Sequence, residues 1–280
     1  MHQKGEHRMN LNFKQILRFQ IAIQTMKDYW KSTIILTLLF CGMAVMYAGM
    51  FPSFKDMMVE MGQSSAFDSF AFIPGYEDMA TYVGFLNIEM YQIFWTLILG
   101  IVIGFIAASI IAKEIESKTI DVLMSNPVSR TQIIIEKFIG LIPMLLIINF
   151  TTMFVIMGVT IGIGEELNFF NLFLTHLISV PYFLSIISIG ILISTLIYEK
   201  MRASIVTMAI VVSMFIFDSI AELSSDFEFL GNLSLKHYFK PYKALKFGEI
   251  DGFGTSVLIL VCCIMLFVSI WYFNNKDITV

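Results

Sequence analysis

The chain has 280 residues, 57% of them hydrophobic and only 14% charged, with a formal net charge of -4 and a mean hydropathy of +0.79. A soluble domain carries about 25% charged residues, so a water-soluble globule is excluded and the lipid bilayer is the expected surroundings. No basic strip interleaved with aromatic residues occurs, which argues against a nucleic-acid partner.

The first predicted element is a helix over residues 10–31. Ile16, Phe19, Ile23, Met26 and Trp30 recur three and four apart and form one apolar stripe. Lys14, Arg18, Thr25 and Asp28 lie roughly opposite. A basic amphipathic helix with an aromatic end, placed just before a span, is expected to lie in the membrane interface. The first long apolar run begins near Thr33, too late for a cleavable signal peptide.

A bilayer core about 30 Å thick needs about 20 apolar helical residues. Six runs qualify: Thr33–Met50, Tyr91–Ala112, Phe138–Ile163, Leu172–Tyr198, Ala203–Phe217 and Thr255–Phe273. The expected fold is therefore all-α and integral to the membrane, with six transmembrane helices in one domain over residues 1–280. The fifth run is short, so its limits are the least defined. Pro143 predicts a tilt or kink in the third.

Pieces 1–32, 113–137, 199–202 and 274–280 hold all the Lys and Arg except Lys55, Lys236, Lys240, Lys243 and Lys246. The positive-inside rule then places both ends in the cytoplasm. Four lysines between Lys236 and Lys246 run against that orientation, although they sit in a long loop.

With that orientation the large internal loop is Lys113–Lys137, a charged segment between two apolar runs. A helix is expected over Lys113–Ser125, ending before Pro127 because the residue preceding a proline is pushed out of the α region. Ser129–Gln132 reads as a capping box that starts the next helix. Two further segments, 51–90 and 218–254, lie outside; they are acidic and aromatic, and short amphipathic helices are expected there as a lid.

Inside the spans, polar residues are few. Asn149, Thr152 and Ser188 are candidates for lining a translocation path. Gly100 and Gly104 form a small-xxx-small pair that permits close helix contact, either within one subunit or along a seam with a second one. No Asp, Glu, Lys or Arg falls near a span centre. Ion-driven carriers usually need one, so an outside energy source and an amphipathic or hydrophobic cargo fit better. There is no GxxxxGK[ST], no HExxH and no nucleophile elbow. No catalytic residue and no metal ligand set is therefore assigned. Cys41, Cys262 and Cys263 read as buried small hydrophobes.

The loop pattern E-x-E-x-x-T-x-x-x-L-x-x-x-P-V-S-R-x-x-I-x-x-x-K falls on Glu114, Glu116, Thr119, Leu123, Pro127, Val128, Ser129, Arg130, Ile133 and Lys137. It resembles the signature between the second and third spans of ABC-2 type transporter permeases. Leu233–Tyr242 and Tyr272–Ile278 also resemble that family's segments before and at the end of the last span. The family usually has glycine just before the threonine. Lys118 stands there instead, which suggests a helical local turn.

The resemblance implies a permease subunit in a bacterial cell membrane, with both termini cytoplasmic. Its partners would be a cytoplasmic ABC ATPase and a second permease, identical or homologous. ATP and Mg would be bound by the ATPase and no cofactor by this chain. Residues 113–132 would form the coupling loop, with Glu114, Glu116, Thr119, Leu123, Pro127, Arg130 and Lys137 meeting the ATPase. The implied activity is export of an amphipathic peptide or drug-like molecule, with sodium or a lipid-linked sugar as alternatives. A non-transporting sensor or scaffold is the other class.

Overall fold

The structure, a computed structural model, describes residues 19–62, 74–119 and 128–276. Six long helices run up and down: α1 Gln20–Gly62, α2 Tyr82–Glu116, α3 Arg130–Ile163, α4 Phe169–Leu196, α5 Lys200–Leu223 and, after three short helices, α9 Gly252–Asn275. The short ones are α6 Glu228–Gly231, α7 Leu235–Tyr238 and α8 Pro241–Phe247. All six are long and apolar enough to cross a membrane, and each contains or overlaps one of the expected runs. No strand occurs among the described residues. The end where α2 stops and α3 begins, with residues 197–199, is the base, and the opposite end is the crown.

Local chemistry fixes the helix starts. Ser129 accepts from the Gln132 amide to open α3, Asn168 accepts from Phe170 and Asn171 to open α4, and Asp251 accepts from Gly254 to open α9. These side-chain oxygens satisfy amides that have no carbonyl partner inside a first turn. Within α2, residues Asn87–Leu99 wind as a π-helix, a rare and wider form. Pro143 lies inside α3 without ending it.

α4 is the central helix. Its most apolar window is 67% buried, against 28% for α1 and α5 and 22% for α9, whose outer faces are left for lipid. Contact with α2 is close because Gly190 has no side chain: a Cβ there would stand 2.7 Å from Ala107 Cβ and 3.0 Å from the Ala108 amide nitrogen. Gly140 does the same for α3 against α1, where a Cβ would meet Thr25 at 2.7 Å and the Ala22 carbonyl oxygen at 2.9 Å. Between these contacts an aromatic core fills the bundle, with Trp95 edge-on to Phe40, Tyr91, His176 and Phe183.

Several expectations change. From Gln20 onward, the expected interfacial helix over 10–31 is continuous with the first span, since no Pro or Gly falls between Gln20 and Cys41 to break it. At 1.5 Å per residue, α1 is about 65 Å long, roughly twice the bilayer core. The apolar stripe points away from the bundle: Phe19, Ile23, Met26 and Trp30 are exposed, while Ile21, Ala22 and Thr25 pack inward. Ile16 lies outside the described residues. At the crown, 51–62 belong to α1, 82–90 to α2 and 218–223 to α5, so the segments outside the long helices are shorter than expected. Residues 224–251 do fold as short helices. Gly100 and Gly104 face α4 and α5 of the same chain: a Cβ on Gly100 would lie 3.2 Å from Ile186, and one on Gly104 3.2 Å from Thr207. Within this chain the pair is used for packing against α4 and α5.

Candidate functional site

The candidate site is the base, where the end of α2 and the start of α3 flank residues 117–129. Residues 120–125 of the helix expected over Lys113–Ser125 lie outside the described residues, and α2 ends before them. It stops at Glu116 and closes in a Schellman motif, the Lys118 amide donating to Ile115 O (3.1 Å) and the Thr119 amide to Glu114 O (2.9 Å). Lys118 adopts a left-handed φ of 57°. The turn is therefore not helical; Lys118 occupies the conformation that glycine takes most readily. Thr119 Oγ1 also donates to Glu114 O. Leu123 and Pro127 lie outside the described residues.

Glu114 and Lys137 form an ion pair between α2 and α3. The side chains are 18% and 6% exposed, and the second Glu114 oxygen, Oε2, is buried without a partner among the described residues. One position before Lys137, Glu136 is 2% exposed. Its Oε2 accepts from the backbone amides of Ile21 (2.8 Å) and Ala22 (3.2 Å), and its Oε1 from the Gln132 side chain (2.6 Å). Glu136 thus caps the N-terminus of α1 from another helix. Gln132 turns to Glu136, so only the Ser129 half of the expected capping box forms.

The other sequence-selected residues at the base also cap distant helices. Glu116 Oε2 accepts from the Lys200 amide at 2.9 Å, at the start of α5. Arg130 Nη1 donates to Phe273 O (3.0 Å) and Lys276 O (2.6 Å), at the end of α9, and the guanidinium lies over the Phe273 ring. Carboxylates at helix N-termini and a guanidinium at a C-terminus match the helix dipoles. From α4, Ser194 Oγ accepts from the Ile111 and Ala112 amides. The flanks of one turn therefore reach all six long helices. Glu136 was missed in the sequence because its partners are more than a hundred residues away. Its only local signal is an acidic residue four positions after Gln132.

The candidate path residues sit elsewhere. Asn149 is fully buried, donating to His176 O (2.8 Å) and accepting from Ser179 Oγ (2.9 Å); the His176 Nδ1–Asn149 Oδ1 distance is also 2.9 Å. His176 Nε2 meets Tyr91 OH at 2.9 Å. This polar core ties α2, α3 and α4 together. Thr152 and Ser188 each donate to a carbonyl of their own helix. None of the three lines the cavity described below.

At the crown, Lys236 is 7% exposed and pairs with Asp218 (2.7 Å) and Glu222 (3.6 Å) beside a cavity of about 280 Å³. Lys240 pairs with Asp251, and Lys246 with Asp78. Three of the four lysines that opposed the charge rule are thus neutralised. Burial alone would raise the Asp78 carboxyl, but the Lys246 ammonium and Tyr242 hydroxyl hold it below the usual carboxylate range. Among the described residues no cluster of three or more His, Cys, Asp or Glu could hold a metal ion.

The profile of a family described as ABC-2 family transporter protein matches residues 20–278. A search of curated proteins gives no match.

Proposed function

The chain belongs to the ABC-2 family of transporter proteins, membrane subunits that work with a separate ATPase, and we propose that it exports an amphipathic peptide or drug-like molecule from a bacterial cell. ATP hydrolysis takes place on a cytoplasmic ABC ATPase. Two permease chains, identical or homologous, complete the assembly. The base is cytoplasmic, and its turn is the contact through which the ATPase drives the bundle.

One observation carries this reading. The residues on either side of the 117–129 segment are bonded to helix ends far away in sequence: Glu136 to α1, Glu116 to α5 and Arg130 to α9. A displacement of the turn is handed directly to those helices. An apolar or amphipathic cargo is supported by the position of the buried charges. Glu136 and Lys137 lie near the base and Asp218 and Lys236 at the crown, leaving the middle without a fixed charge for an ion path. The orientation is supported by the paired state of Lys236, Lys240 and Lys246.

The test is purification from native membranes of the intact chain and of a variant with residues 119–128 replaced by a flexible Gly/Ser linker of equal length. An ABC-type ATPase should accompany the intact chain in equal amount and be absent from the variant, while both remain in the membrane. Recovery of the intact chain alone in several mild detergents would overturn the proposal.

A further inference from the structure

At the crown, the last two turns of α5 carry two acids four residues apart, Asp218 and Glu222. The short helix α7 brings one lysine to both. Lys236 Nζ stands 2.7 Å from Asp218 Oδ2 and 3.6 Å from Glu222 Oε2, with the Phe215 ring on its other side at 5.1 Å. The Asp218 side chain is 3% exposed and that of Glu222 24%, so water screens these charges weakly. One fixed positive charge therefore faces two carboxylates, and the nearer of them takes the larger share.

No second cation comes to Glu222. His237 Nδ1 faces the other acid, 3.5 Å from Asp218 Oδ1. Lys240 and Lys243 line the adjoining cavity, but Lys240 pairs with Asp251 and Lys243 makes no ion pair with Asp218 or Glu222. From α2 the cavity receives Gln92 and from α8 Tyr242, both without a fixed charge. The residues just beyond α5 that titrate, Asp226 and Glu228, are acids. Pro74 completes the wall, and the chain before it, 63–73, holds a single charged residue, Asp68. That is an acid too, so this stretch adds no positive charge. The helix itself adds to the imbalance. Glu222 is next to the last residue of α5, where the terminal carbonyls carry partial negative charge.

We propose that Glu222 holds a proton while the 224–251 segment is closed over the end of α5, and that this proton makes the closure a pH-sensitive latch. Closing the segment takes the Glu222 carboxyl out of water. The lysine that arrives with it is spent first on Asp218. An ionised Glu222 would then sit beside a like charge and a helix C-terminus with its hydration lost, whereas the neutral acid loses little. The closed form therefore holds one proton more than the open form. Opening becomes easier as pH rises through that range. Below about pH 4 the gain stops, because a carboxyl in water is protonated there as well.

The full chain in one mild detergent is studied by hydrogen exchange of residues 231–239, with rates corrected for their intrinsic pH dependence. Within this stretch the Ser234 amide donates to Gly231 O and the Phe239 amide to Lys236 O. Their protection should fall about tenfold or more from about pH 5 to about pH 8, since one proton is worth up to tenfold per pH unit. Glu222→Gln, which fixes the neutral form, should be as protected at the higher pH as the unaltered chain is at the lower, with no pH dependence between. His237→Gln should keep the fall. Protection in the unaltered chain that is constant or rises with pH would overturn the proposal whether or not the variants fold. A fall that persists in folded Glu222→Gln would overturn it, and so would its loss in folded His237→Gln, which would put the proton on the histidine. Exchange is read without ATPase or cargo, so the result is independent of the export proposal.

Discussion

The Glu114–Lys137 pair can be tested by removing one partner and then both. Lys137 is 6% exposed and Glu114 18%. In the native chain Glu114 Oε1 meets Lys137 and Oε2 meets nothing among the described residues. Lys137→Met therefore leaves a carboxylate, largely buried, with neither oxygen paired. Breaking a buried ion pair in this way costs about 3–5 kcal/mol, whereas replacing both partners by neutral groups of similar size costs little. Glu114's partial exposure points to the lower end, about 3 kcal/mol. For a chain of this size that is a fall in Tm of about 6–10 °C. Adding Glu114→Gln should restore most of the stability, giving a coupling energy of about 2 kcal/mol in a double-mutant cycle. The measurement is thermal unfolding of purified protein in one mild detergent, followed by tryptophan fluorescence. A fall below about 2 °C for Lys137→Met, or a double variant as unstable as the two single effects added, would refute the reasoning.

Other expectations follow from single features. Lys118→Gly should stabilise the base by about 1 kcal/mol, the cost of a side chain in the left-handed conformation; an unchanged or lower Tm would mean that Lys118 makes compensating contacts. Gly190→Ala should destabilise by about 1–3 kcal/mol, because its Cβ meets α2 backbone as well as Ala107. Gly158→Ala, with nothing within 4 Å, should be neutral or stabilising by up to about 1 kcal/mol; equal effects in the two variants would refute the packing assignment. The Asp78–Lys246 contact should respond to pH at both ends. Asp78 is held below its usual value, so its contribution is complete above about pH 4 and is lost as pH falls through the lower folded value. Lys246 is raised by the same contact, so its contribution is complete below about pH 10 and is lost as pH rises through the folded value. Hydrogen exchange of the 241–247 helix should be slowest between those limits, and Asp78→Asn should abolish the acid-side change.

What the sequence disclosed and what it concealed divide by distance along the chain. Span number was legible because about twenty apolar residues in a row record the bilayer thickness directly. Ser129 was legible as a cap because its partner, Gln132, is three residues away. The limits of the fifth span were not. Apolarity stops at Phe217, but α5 continues to Leu223 because Lys236 neutralises Asp218 and Glu222. Asn149 stood out as a polar residue in a span, yet its role depends on His176, which no periodic pattern brings to it. Gly100 and Gly104 announced close packing without naming the partner, and the partner proved to be the same chain. The missing glycine before Thr119 was misleading, because the turn is set by hydrogen bonds back to Glu114 and Ile115 and a lysine can be held in it.

The same distance rule bears on the transmission proposed for the base. A helix normally satisfies its terminal groups from neighbouring sequence or from water, and such an end can move alone. Here the starts of α1 and α5 and the end of α9 take charged caps from α2 or α3. Each of these bonds involves a charged group and is worth about 1.5–3 kcal/mol. A force on the 117–129 segment must move those helix ends together or break bonds of that size. The ion pair between Glu114 and Lys137 keeps the two flanks of the turn in register while it does so. The crown has charged links of its own: Lys55 with Glu165, and, through the 224–251 segment, Asp218 with Lys236, Asp78 with Lys246 and Asp251 with Lys240. Under the export function proposed above, a crown tied separately from the base would let the two ends of the bundle change in turn rather than open through both at once.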